Sequence, residues 1–213
     1  MEVRKEIRVF QRCINMTNNV YVYYYNNESE LINSIQENNY IKDLYIGKTY
    51  NEYKIKSNNV NDTTILIYKE IKIVAVVCEK YKDILKLNII NNLNKVNLLD
   101  KVIFNIIFKS KYFKNLCKID IDLDEIDDDV ETISFTGNQL LESSILQGFN
   151  IVDIDSEIKL RSYAFQPHGY RYLMEIKSIN RIDFNKRFSY LDIKKIVIGL
   201  IEIVGEAYGK YNE

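Results

Sequence analysis

Between Lys72 and Glu79 the chain reads K-I-V-A-V-V-C-E, an unbroken apolar run rich in β-branched residues. Successive side chains of a strand point to opposite faces, so this run has no polar face to give to water and belongs in the centre of a sheet. The preceding T-I-L-I-Y, with a turn near Lys69-Glu70, supplies a neighbouring strand. Strand character also marks Val3 to Phe10, Val20 to Tyr25, Lys42 to Gly47 and Phe149 to Ile154. A hairpin over I-K-L-R-S-Y-A-F-Q-P-H-G-Y-R-Y-L-M-E-I-K-S-I turns at Gln166-Pro-His-Gly169, where the only proline stands beside a glycine.

Helical spacing is strongest at the end. From Ser189, the residues Leu191, Ile193, Ile196, Val197, Leu200, Ile201 and Val204 are expected inward, and Lys194, Lys195, Glu202 and Glu206 outward. Gly199 and Gly205 each cost about 1 kcal/mol against Ala in a helix, which points to close packing on a neighbour. Shorter helices are expected from a Ser29 cap with Leu31, Ile32 and Ile35 on one face, over Asp83 to Leu99, and from Asn138 to Gln147 with a stop at Gly148. The polar K-S-N-N-V-N-D-T-T reads as a loop. Together these elements predict an α+β fold: a mostly antiparallel sheet with helices on one side and a C-terminal amphipathic helix. The acidic K-I-D-I-D-L-D-E-I-D-D-D-V-E divides the chain into an N-terminal lobe 1–119, a connector 120–130 and a C-terminal lobe 131–213, or runs within one compact domain.

Composition removes several function classes. Lys plus Arg number 29 against 30 Asp plus Glu, so no overall field draws in nucleic acid or an anionic membrane, and recognition by charge has to be local. The start, M-E-V-R-K-E-I-R-V-F, is too charged for a secretory signal, and no stretch approaches about 18 apolar residues, so a soluble intracellular protein without a membrane partner is expected. Asn, Ile, Lys and Tyr are heavily used, which fits an AT-rich genome such as that of a low-GC bacterium, a phage or a large DNA virus. Cys13, Cys78 and Cys117 are odd in number and widely spaced, the pattern of reduced thiols. With one histidine, His168, and 7 Gly, neither a His metal cluster nor a glycine-rich phosphate loop can be assembled.

Three features remain for function. Asp120, Asp122, Asp124, Asp127, Asp128 and Asp129 form the acidic run; Glu125 stands where a calcium loop needs Gly, which leaves a solvated loop or a docking surface for a protein with a basic surface. In Y-V-Y-Y-Y, alternation places Tyr21, Tyr23 and Tyr25 on one face, a candidate contact face for a partner. Lastly, Glu175-Ile-Lys177 puts an acid and a cation on one face of a strand, either as a solvated surface pair or as a catalytic pair.

The order helix, strand, hairpin, helix over Asn138 to Lys210, with Glu175-x-Lys177 on the last hairpin strand, resembles the core of the PD-(D/E)xK nucleases. The resemblance covers the last third of the chain. It implies a Mg²⁺-dependent nuclease with Glu175 and Lys177 catalytic, Asp153 or Asp155 as the metal-binding Asp, and Glu142 as the helix acid. The sequence departs from that pattern on the strand before Glu175, where Lys159 and Arg161 stand and the family has its Asp. The leading expectation is therefore a non-catalytic, cofactor-free binding protein, an inhibitor or scaffold of another macromolecule, with the nuclease as the alternative.

Overall fold

A computed structural model describes residues 18–38, 41–57, 60–87, 89, 93–110, 113–122, 132–149, 151, 153 and 158–209. Among them, eleven strands build one sheet in which every pairing is antiparallel. In chain order these are β1 (Asn18–Tyr25), β2 (Ile41–Ile46), β3 (Tyr50–Ser57), β4 (Val60–Tyr68), β5 (Ile73–Cys78), β6 (Leu93–Lys95), β7 (Phe113–Asp122), β8 (Thr132–Thr136), β9 (Lys159–Pro167), β10 (Met174–Ser178) and β11 (Arg181–Phe184). The helices are α1 (Glu28–Asn38), α2 (Tyr81–Leu85), α3 (Lys101–Lys109), α4 (Ser144–Gly148) and α5 (Tyr190–Gly209), with a 3₁₀ turn at Leu140–Glu142. The spatial order is β2-β3-β4-β5-β1-β11-β10-β9-β7-β8, with β6 added to β1.

The apolar run behaves as its composition requires: all six residues of β5 are buried, between β4 and β1. Burial on both faces needs two cores. On one, Val20, Val22, Ile73, Ala75 and the inward residues of β7, β9, β10 and β11 pack against α3 and α5. On the other, Tyr21, Tyr23, Tyr25, Val74 and Val76 pack against Leu31 and Ile35 of α1 and Ile84 of α2. The α+β class, the antiparallel sheet and the closing helix are thus present. Helices α3 and α5 share one face, and α1 and α2 add a layer on the opposite face that the one-sided expectation did not include.

Local chemistry sets the helix starts. Asn27 Oδ1 accepts the amides of Ser29 and Glu30 at 3.0 and 3.3 Å, so Asn27, not Ser29, caps α1. Asp100 caps α3 by accepting from Val102 and Ile103. Ser189 and Asp192 exchange side-chain to backbone bonds at the start of α5, a reciprocal capping box. Within α5 six of the seven expected residues are buried; Leu191 is 66% exposed, and Lys194 is half-buried rather than free in solvent. In the hairpin, Tyr170 donates its amide to Pro167 O at 3.1 Å and Gly169 has φ +83°, the third position of a type II turn, which only glycine fills without strain.

Other expectations need correction. Of K-S-N-N-V-N-D-T-T, Lys56 and Ser57 end β3 and Val60 to Thr64 begin β4, in place of the expected loop; Asn58 and Asn59 lie outside the described residues. Among the described residues of Asp83 to Leu99, the helix is confined to α2, and β6 follows. Phe149, Ile151 and Asp153 are not in a strand. Val3 to Phe10 lies outside the described residues. The proposed connector begins inside β7, whose Asp120 and Asp122 are strand residues paired with β8 and β9.

Candidate functional site

β7, β9, β10 and β11 turn their alternate residues away from the α5 core, and among the described residues no apolar cluster forms on this second face of β7, β9 and β10. Met174 and Ile176 are buried in the core, so Glu175 and Lys177 take the polar face, as alternation predicts. Glu175 is only half-buried there. Lys118 Nζ lies 2.8 Å from Asp120 Oδ2 and 2.9 Å from Glu175 Oε1, and Ser162 Oγ donates to the same Asp120 oxygen at 2.5 Å. β9 runs between β7 and β10, and the residue it places opposite both Lys118 and Glu175 is Ala164. A single methyl there leaves the way open for the bridge.

Glu175 also stands directly opposite Asp183 of β11, a like-charge pair that would be destabilising alone. Arg181 offsets it with bonds of 2.6 and 2.9 Å to Asp183, and Lys177 Nζ approaches the same carboxylate at 3.7 Å. Burial works against the Asp120 carboxylate, but bonds from Lys118, Ser162 and Ser134 outweigh it and hold its pKa below the usual value. Lys118 is held above its usual value chiefly by its bonds to Asp120 and Glu175.

The other sequence-predicted residues disperse. Glu142 is exposed in the 3₁₀ turn and Asp153 is exposed between α4 and β9; Asp155 lies outside the described residues. Opposite Glu175, where the nuclease pattern has an acid on the neighbouring strand, stands Ala164. No three His, Cys, Asp or Glu side chains gather as a metal site among the described residues. Of the acidic run, Asp120 and Asp122 are on β7, while Asp124, Asp127, Asp128 and Asp129 lie outside the described residues. Tyr21, Tyr23 and Tyr25 do share a face, but it is core: each is at most 4% exposed, beneath α1 and α2. Their proposed contact role is corrected by that burial. His168 is exposed in its turn, Cys78 is buried, and no disulfide joins it to Cys117.

A second locus joins β2 and β3 to the start of α5. Glu52, 5% exposed, accepts from Tyr190 Oη at 2.8 Å and is ion-paired to Lys194. The Lys194 ammonium lies 5.0 Å from the Tyr50 ring centre and 5.8 Å from that of Tyr45. With Asp43, Lys54 and Leu191 these residues line a cleft of about 460 Å³. Sequence reasoning missed it because Glu52 and Lys194 are far apart in the chain; the only signal was Glu52 between two tyrosines of a strand. Among the described residues no helix is long and apolar enough to cross a membrane.

The chain matches no family model, no curated protein and no solved structure.

Proposed function

We propose that the protein is a non-catalytic binding protein acting inside the cell, an inhibitor or scaffold that meets a basic surface of a partner protein with the acidic end of its sheet. One observation carries this reading: Lys118 bridges Asp120 and Glu175. A divalent ion shared by two carboxylates would need the position between them, and here the chain's own ammonium fills it. The polar face is a lattice of mutually neutralised groups suited to presenting a fixed surface. The acid in excess lies where β7 leads into Asp124, Glu125, Asp127, Asp128 and Asp129. Such a patch steers a basic partner and raises its association rate more than it adds affinity.

The test is differential capture. The wild-type chain and the Asp127→Asn, Asp128→Asn, Asp129→Asn variant are immobilised and exposed to extract of the cell that encodes the protein, at low and high salt. A basic protein retained by the wild type at low salt, released by salt and missing from the variant is expected. The same proteins on both baits would overturn the reading.

A further inference from the structure

β2 closes one end of the sheet, and among the described residues nothing pairs with its outer side. Five of its six residues are exposed, three of them large and apolar: Leu44, Tyr45 and Ile46 are 42, 54 and 67% exposed. A bare apolar edge is what folded proteins avoid unless something pairs with it. We infer that this edge pairs with the same edge of a second copy, antiparallel and centred on Tyr45.

The geometry of β2 fixes the register. Gly47 donates its amide to Tyr50 O at 3.0 Å, so the opposed residues Tyr45/Glu52 and Asp43/Lys54 are also bonded toward β3. The N–H and C=O of Leu44 and Ile46 therefore point to the open edge. These two residues flank Tyr45 symmetrically, which makes the edge self-complementary about a two-fold axis. Leu44 of each copy bonds Ile46 of the other, giving four backbone hydrogen bonds and two Leu–Ile side-chain pairs on one face. On the other face Tyr45 meets Tyr45 of the second copy. Asp43 falls opposite Gly47 of the second copy, over which that copy's Tyr45 ring lies, so a carboxylate meets a phenol and like charges stay apart. Lys42 stands in the bulge that ends the ladder. A formal net charge of −1 sets almost no repulsion between copies.

Three ladder residues and the exposed Leu191 on the rim of the adjoining cleft make an interface below the roughly 1,200 Å² of stable complexes, so the dimer is weak and reversible. β2 and β8 lie at opposite ends of the strand order, so pairing through β2 leaves β8 of each copy unobstructed. This inference stands independently of the proposed function.

Sedimentation equilibrium over a wide concentration range tests it. The wild type is expected to shift reversibly from monomer toward dimer, and Leu44→Lys with Ile46→Lys to stay monomeric with an unchanged melting temperature. In a Cys13→Ser, Cys117→Ser background, Tyr45→Cys is expected to form a disulfide dimer under mild oxidation, because a non-hydrogen-bonded antiparallel pair sets Cα atoms about 4.5 Å apart, within disulfide reach. Leu44→Cys should cross-link far less. A wild type that is monomeric throughout, a dimer indifferent to the lysines, or equal cross-linking from both cysteine variants overturns it.

Discussion

Lys118 and Glu175 form an ion pair across an intervening strand, 2.9 Å apart over the methyl group of Ala164. The pair is partly open to solvent, so Glu175→Ala is expected to cost only about 0–1 kcal/mol. Ala164→Leu should do more, since a larger side chain on β9 separates Lys118 from Glu175. A double-mutant cycle of Lys118→Met and Glu175→Gln in the wild-type and Ala164→Leu backgrounds checks this: the coupling should vanish in the second.

Glu52 and Lys194 behave differently, because the carboxylate is buried. Burial works against the Lys194 ammonium, yet its bonds with Glu52 and Tyr50 raise its pKa above the usual value. Removing Lys194 leaves Glu52 in a buried site held by the Tyr190 hydroxyl and, at 4.0 Å, by the half-exposed Lys54 ammonium. Lys194→Ala should therefore lower stability by roughly 2–4 kcal/mol, and Glu52→Gln by less, read from urea denaturation.

α5 carries two contrasting positions. Leu200 is 1% exposed, so Leu200→Asp should destabilise by several kcal/mol, while Leu191→Asp, at a residue 66% exposed, should leave monomer stability unchanged. Gly205 is a third case: a Cβ there would lie 2.8 Å from Ile71 Cγ2. Gly205→Ala should lower the melting temperature despite alanine's helix preference, and Ile71→Ala should relieve that loss.

Much of this was legible in the sequence, and the limits have a physical cause. Six consecutive apolar residues, four of them β-branched, read as a central strand, and the spacing from Ile193 to Val204 reads as a buried helix face; both are local patterns. The tyrosine run shows where local reading stops. Alternation correctly put Tyr21, Tyr23 and Tyr25 together, but whether that face meets water depends on α1 and α2, which come from elsewhere in the chain. The Lys118–Glu175 bridge depends in turn on the register of three strands, and no local pattern encodes it.

The buried tyrosines set the alkaline limit. Burial pushes the Tyr21 and Tyr25 hydroxyls up to about 12, and raises Tyr23, Tyr68 and Tyr163 as well. Unfolded tyrosine loses its proton near pH 10, so between about 10 and 12 the unfolded state binds fewer protons than the folded one and stability falls as pH rises. Melting temperatures are expected to hold up to about pH 10 and drop above it. In acid the sign is reversed: the lowered pKa of Asp120 gives stability that is present above its unfolded pKa, near 3.8, and lost as pH falls through the folded one. Asp120→Asn should flatten that limb of the curve.

The role of Glu175 decides between a recognition surface and a nuclease, and one assay addresses it directly. Wild-type protein and Glu175→Ala are incubated with single- and double-stranded DNA and RNA in Mg²⁺ or Mn²⁺, and cleavage is followed on gels. With Lys118 held between Asp120 and Glu175, the account predicts no metal-dependent cleavage by either protein. Nicking that needs the metal and disappears in Glu175→Ala would contradict it, and would make the Glu175–Lys177 strand catalytic.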